Sequence, residues 1–268
     1  MPALGIGTWA MAERPERRKD EIEALGMALD LGMTLVDTAE MYAGGAAEAL
    51  IGEAIGDRRA EFFLISKVLP DHATRRGTIA ACEASLKRLH TDHLDLYLLH
   101  WPGKVPLDET LEGFTALMQS GKIRYWGVSN FDTDDMKDLL PLTLNMGSAV
   151  SANQVLYNLT RRGIEWDLLP YCKARGIPVM AYSPIEQSRL ARDKRLKKIA
   201  DRQKATPAQI ALAWVLRQQG VFAIPKASRL EHVRENRGAL EITLTPEDLA
   251  ELDALFPPPT RKIPLEVL

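Results

Sequence analysis

The sequence predicts a (β/α)8 barrel of eight parallel strands with an extra C-terminal helix, using residues 1–268 as one domain. Three observations lead there. Short apolar runs alternate with helical stretches eight times, and a helix between consecutive strands makes them parallel. Seven of the runs close on a polar or ionisable residue, Asp37, Lys67, His100, Asn130, Gln154, Ser183 and Lys226, which parallel order gathers on one face. The length of 268 residues also suits a barrel that typically takes about 250. An open doubly wound sheet shares the alternation. However, Gly5 and Gly7 are followed by Trp9, and no G-x-G-x-x-G opens a helix after the first strand, so the main Rossmann signature is missing.

The first run, LGIGT at 4–8, precedes a helical pattern over 20–32. TLVD at 34–37 is the second strand, followed by a helix from Ala46, and EFFLISK at 61–67 is the third. A helix over 74–89 leads to LDLYLLH at 94–100, and a helix over 109–121 leads to IRYWGVSN at 123–130. Pro141 ends or kinks the next helix, 133–142, because it lacks the N–H that continues the ladder. Strand six is read at 148–154, helix six at 164–176 despite Pro170, and strand seven, IPVMAYS, at 177–183. Two helices follow, 191–204 and 207–219, the second opening with Thr206 as N-cap and Pro207 in its first position. VFAIP at 221–225 is strand eight, 229–239 its helix, and TPEDLAELDAL from Thr245 the extra helix, again with a Thr-Pro start. The proline-rich stretch 256–268 fits covering the barrel, lining a pocket or staying unpacked.

An apolar fraction of 46%, with 26% charged, is that of an ordinary soluble globular protein. The net charge is −2 and basic residues are scattered along helices as in DKRLKKIADRQK, so no nucleic-acid partner is expected. Cys82 and Cys172 match no metal or redox spacing, and no metal site is expected. Without a signal-peptide pattern or a run of about 18 apolar residues, the reading is a cytoplasmic protein that does not enter membranes.

Asp37, Lys67 and His100 close successive strands. Singly, each has a bland explanation as a cap, a solvent-reaching chain or a core histidine; together on one face they suggest chemistry. Tyr42 lies five residues past Asp37 in the loop TAEMYAGG. A phenol is a weak acid near neutrality, but the Lys67 ammonium favours phenolate and is expected to lower the Tyr42 pKa. Asp37 can keep that ammonium charged, and His100 can donate a hydrogen bond to a substrate oxygen. Trp9 and Trp101 follow strand ends and suit pocket walls, as does Met41, whereas Trp126 lies within strand five and suits the core.

LGIGTW, DTAEMY, the lysine of ISKV, LYLLHWP, GVSNF, NQVLYN, AYSPI and AIPKAS resemble, in order and spacing, the signature segments of the aldo-keto reductases. The look is closest to bacterial members that reduce small dicarbonyls, such as methylglyoxal and 2,5-diketogluconate reductases. The resemblance implies a monomeric barrel that reduces aldehydes and ketones with NADPH, with Asp37, Tyr42, Lys67 and His100 at the catalytic positions and Tyr42 as proton donor. It further implies that Gly7, Thr8 and Asp37 lie at the cofactor, that Ser129, Asn130 and Gln154 hold the carboxamide, and that Tyr182 stacks on the nicotinamide. Ser183 through Ser188, with Ile185, match the loop over the pyrophosphate; Lys226, Ser228 and Arg229 match the 2′-phosphate site, and Glu235 and Asn236 the adenine contacts. His232 stands where many NADP-preferring members have Arg, so NADH is expected to be accepted as well. Trp9, Tyr42, His100 and Trp101 would meet the substrate, in a pocket left open by the short WPGKVP link. A different class, a cofactor-binding regulatory subunit acting through a protein partner, would be expected to carry an added interaction segment. A barrel hydrolase using Asp37 and His100 lacks a metal cluster or nucleophile.

Overall fold

The computed structural model describes residues 3–268, the Asn145 side chain apart; residues 1 and 2 of the expected span lie outside it. Eight strands pair in sequence order, all parallel: β1 (Ile6–Gly7), β2 (Leu35–Asp37), β3 (Phe63–Val68), β4 (Leu94–Leu99), β5 (Ile123–Ser129), β6 (Asn153–Leu156), β7 (Val179–Tyr182) and β8 (Val221–Ala223). The ring closes through parallel bridges from Leu4 to Ala223 and from Gly7 to Lys226. The Gly5 N–H donates to the Ala223 carbonyl at 2.9 Å. Closure leaves no unpaired edge and decides for the barrel over the open sheet.

Around it run α1 (Arg18–Asp30), α2 (Ala46–Ile55), α3 (Arg75–Arg88), α4 (Leu107–Gln119), α5 (Thr133–Leu142), α6 (Leu168–Ala174), α7 (Lys197–Arg202), α8 (Pro207–Leu216), α9 (Leu230–Gly238) and the extra α10 (Pro246–Leu255). Thr206 and Thr245 cap α8 and α10 as expected, each completing a reciprocal box with the residue three positions on, Gln209 or Asp248. Among the described residues no helix is long and apolar enough to cross a membrane.

Three differences from the sequence reading exceed a shift of two or three residues at an element's end. The ladder of β6 begins at Asn153 rather than 148 and runs on to Leu156, because its partners Val128–Ser129 and Val179–Tyr182 lie opposite that later stretch. Helix α6 starts only at Leu168, which puts Pro170 in the first turn, where a missing N–H interrupts no helical bond. The helix expected over 191–204 is broken: Asp193 stays extended and its carboxylate accepts from the Arg195 N–H, so two short 3-10 turns precede α7.

Two apolar layers share the strands. Residues such as Val36, Leu64, Tyr97, Trp126 and Val128 face outward against the helices. Leu35, Ile65, Leu96, Leu98, Ala152, Met180 and Ile224 form a separate cluster that fills the barrel. A Cβ at Gly127 would lie 2.6 Å from the Ala152 carbonyl oxygen and 2.9 Å from Leu98 Cδ2, so this packed interior admits only glycine there. Side chains alternate along a strand, so the next inward positions after Leu35, Ile65, Leu98, Ala152 and Met180 are Asp37, Lys67, His100, Gln154 and Tyr182. The polar residues are thus the layer directly above an apolar plug.

Candidate active site

That layer is organised by one ammonium. Lys67 is fully buried, and its Nζ donates to Asp37 Oδ2 at 2.8 Å, to the Thr38 carbonyl at 2.7 Å and to the Tyr42 hydroxyl oxygen at 3.1 Å. An ammonium has three N–H donors, and all three are placed. Asp37 spends its other oxygen, Oδ1, on the Gln154 amide at 2.7 Å. Tyr42 reaches Lys67 from a short 3-10 turn, Tyr42–Gly45, that bends back through left-handed Ala43 and Gly44. Its ring packs edge-on against Trp9, with centroids 5.1 Å apart, and likewise against the His100 ring at 5.9 Å.

The electrostatics follow from burial. Desolvation opposes the charge of Lys67, but Asp37 and Tyr42 outweigh it and hold the ammonium above its ordinary pKa. For Tyr42 the sequence expectation is reversed. Burial of the phenol is the largest influence and raises its pKa; Lys67 lowers it and Asp37 raises it, leaving the net direction upward. A phenol so placed keeps its proton until a stronger base than phenolate appears beside it. Burial, reinforced by Lys67, depresses His100 to about 2, so its imidazole is neutral. Its Nδ1 is buried without a partner. As a neutral imidazole, His100 has one N–H to donate and no acidic proton to give near neutrality. In nuclear magnetic resonance its ring is expected to show no titration down to about pH 4, the signal being assigned by its loss in His100→Gln; an inflection near the free-imidazole value would contradict this electrostatic reading.

These groups open onto a cleft of about 520 Å³ at the carboxyl ends of the strands. Asp37, Tyr42 and His100 line its floor, and Trp9, Met41 and Trp101, all partly exposed, form its rim. Ser129, Asn130, Gln154 and Tyr182 line the neighbouring wall. Asn130 has left-handed backbone (φ 57°), which asparagine tolerates better than most residues. Its amide donates to the His100 carbonyl at 3.1 Å, and its carbonyl accepts from the Tyr182 hydroxyl at 3.0 Å. Farther along, Gly7, Ser183, Ile185 and Lys226 also line the cleft. Gly7 has a structural reason as well, since a Cβ there would lie 2.8 Å from the Ile224 carbonyl oxygen. Trp126 is core, as expected, bonded through Nε1 to Ser148 Oγ at 2.9 Å.

The remaining candidates sit outside the lining. Thr8 is buried and donates to the Asp37 carbonyl at 3.0 Å, bracing β2 from β1. Ser228 accepts from Lys226 Nζ at 3.0 Å; burial lowers the pKa of that lysine. Arg229 is exposed and pairs with Glu231 at 3.3 Å. Glu235 accepts from the Thr206 hydroxyl at 2.6 Å, while Asn236 is buried with Nδ2 unpartnered. Sequence reasoning missed Ala10, Ile224 and Leu268, all of which line the cleft. Ile224 was findable from the inward alternation Phe222, Ile224, Lys226; Leu268 carries no such signal.

Residues 3–256 match the model of the Aldo/keto reductase family. The chain is 48% identical over 273 aligned positions to methylglyoxal reductase YeaE of Escherichia coli (strain K12), covering 100% of this chain and 95% of that protein. It is 35% identical to glyoxal reductase of Bacillus subtilis (strain 168), covering 95% and 89%. In three dimensions it superimposes with a TM-score of 0.97 on an aldo/keto reductase of Klebsiella pneumoniae solved with NADP and acetate, at 49% identity and coverage of 100% and 96%. Matched from residue 3 to residue 256, and nearly half identical to a reductase along its whole length, the chain belongs to the aldo/keto reductase family.

Proposed function

We propose that the protein reduces small carbonyl compounds, aldehydes and α-dicarbonyls such as methylglyoxal, to alcohols with NADPH, Tyr42 delivering the proton. The observation that carries this is the third N–H of Lys67, aimed at a protonated phenol beside a neutral histidine at the floor of an open cleft. His100 donates a hydrogen bond to the substrate oxygen and holds it next to Tyr42. As negative charge gathers on that oxygen, it becomes a far stronger base than phenolate, and the Tyr42 proton moves to it. Lys67 stabilises the phenolate left behind, and Asp37, fixed by Gln154, keeps Lys67 charged. NADPH bound along the cleft supplies the hydride for the carbonyl carbon.

The chain has groups suited to that cofactor. Asn236 Nδ2 is a buried donor without a protein partner, and Lys226 is a desolvated cation that an anionic phosphate would relieve. Ser183, Glu186, Gln187 and Ser188 all have left-handed backbone, a concentration of strain suited to a ligand-gripping loop. We assign Ser129, Asn130 and Gln154 to the carboxamide, the Tyr182 ring to the nicotinamide face, and Ser183 with Ile185 to the pyrophosphate. Lys226, Ser228 and Arg229 are assigned to the 2′-phosphate, and Glu235 and Asn236 to the adenine; Gly7 borders the cofactor, and Thr8 acts behind Asp37. Free, buried Cys82 and Cys172 suit a reducing cytoplasm. The test is NADPH consumption with a panel that includes methylglyoxal and 4-nitrobenzaldehyde; no turnover of any carbonyl would refute the reading.

Cofactor choice is a second expected result. Glu231 pairs with Arg229 at 3.3 Å, which weakens this edge as an anion clamp. NADPH should be preferred with measurable use of NADH, and His232→Arg should raise the preference by about fivefold to tenfold. Comparison of kcat/KM for the two cofactors checks it. Strict NADPH dependence in the unmodified protein would contradict the argument from His232.

A further inference from the structure

We infer that the stretch following α10 is tied to the proposed cofactor loop through one ion relay, Glu266–Arg161–Glu186, making Arg161 and Glu266 positioning residues for dinucleotide binding. Glu186 sits in the left-handed loop after β7 and is only 4% exposed. A carboxylate so buried requires strong partners. Asn158 donates to its Oε2 at 2.7 Å and, from the same amide, to the Ser183 carbonyl at 2.9 Å. Arg161 Nε donates to its Oε1 at 3.2 Å, and another arm of that guanidinium, Nη1, donates to Glu266 Oε1 at 2.6 Å. One planar cation thus holds two carboxylates, one in the loop and one in the final stretch.

Two residues past Glu266, Leu268 lines the same cleft that Ile185, Gln187 and Ser188 line from the loop. The relay therefore couples a wall of the substrate pocket to the strap over the cofactor. An independent tether provides the control. Lys262 bonds Asp134 at 2.9 Å and Asp167 at 3.3 Å, and neither acid belongs to the loop. Ile263 nearby packs against Gly163, where a Cβ would lie 2.8 Å from its Cδ1.

The inference rests on the cofactor site proposed above, and its test is binding, read by quenching of tryptophan fluorescence as NADPH is added. Glu266→Gln is expected to raise the NADPH Kd by about threefold. Arg161→Gln, which leaves Glu186 only Asn158 and the more distant, exposed Arg189 at 3.8 Å, should raise it by about tenfold, with Arg161→Lys between the two. Lys262→Gln should leave that Kd unchanged, since its partners Asp134 and Asp167 lie outside both the loop and the cleft. The relay is wrong if Glu266→Gln binds NADPH as the unmodified protein does, or if Lys262→Gln weakens it equally. Should the unmodified protein fail to bind NADPH, the cofactor assignment itself falls, a result distinguishable from either.

Discussion

Tyr42→Phe is expected to lower kcat/KM for carbonyl reduction by about 10²–10⁴-fold, the usual contribution of a positioned general acid. The substitution removes one oxygen from a network in which that oxygen accepts from Lys67 at 3.1 Å and borders the cleft. Ring packing against Trp9 and His100 is retained, so the fold and the remainder of the site should stand. NADPH affinity should therefore change by no more than about twofold, placing the loss in the chemical step. Steady-state kinetics together with a binding titration separate the two. Full activity in this variant would remove Tyr42 from the mechanism.

Lys67→Met is expected to damage both activity and stability. In the proposed mechanism the ammonium stabilises the departing phenolate, and without it kcat should fall by at least about 10²–10³-fold. The stability effect comes from Asp37, which is almost fully buried and would be left as a lone charge with only the Gln154 amide as side-chain donor. Breaking such a pair from one side costs about 3–5 kcal/mol, on the order of a 10 °C fall in Tm for a chain of this size. The double variant Asp37→Asn/Lys67→Met removes both charges, so it should recover much of that stability and none of the activity. Thermal unfolding of the three proteins distinguishes the cases; a single variant as stable as the double would show that Asp37 does not need its partner.

The parallel order of the strands and the core of the site were legible because both follow from short-range periodicities. Alternation of strand and helix carries parallel order, and the period of two places Asp37, Lys67 and His100 above the apolar plug of Leu35, Ile65 and Leu98. Closure was not legible, since the bridges from Leu4 to Ala223 and Gly7 to Lys226 join residues at opposite ends of the chain. The start of β6 depended on where its neighbours end, which no local pattern encodes. Nor could residue identity reveal the Thr38 carbonyl as an acceptor for Lys67, because every residue has a carbonyl.

The error over Tyr42 has a different origin. Pairing it with Lys67 was right in geometry and wrong in net effect, because the cost of burying a phenolate is set by all the surrounding atoms and here exceeds the pull of one cation. The corrected direction favours the proposed chemistry, since a phenol that holds its proton through the neutral range is loaded as a donor. Likewise, Leu268 and the Arg161 relay come from chain segments distant in sequence, and only the folded structure brings them to the cleft.

The most direct measurement is the single-turnover rate of NADPH consumption with saturating methylglyoxal as pH is varied. A protonated, buried Tyr42 as donor and a neutral His100 predict a rate constant from about pH 6 to 9 that declines only above about 10, as the phenol loses its proton. A rate that changes through a single ionisation between about pH 6 and 7, or that continues to rise above about 10, would contradict the assignment of Tyr42 as proton donor.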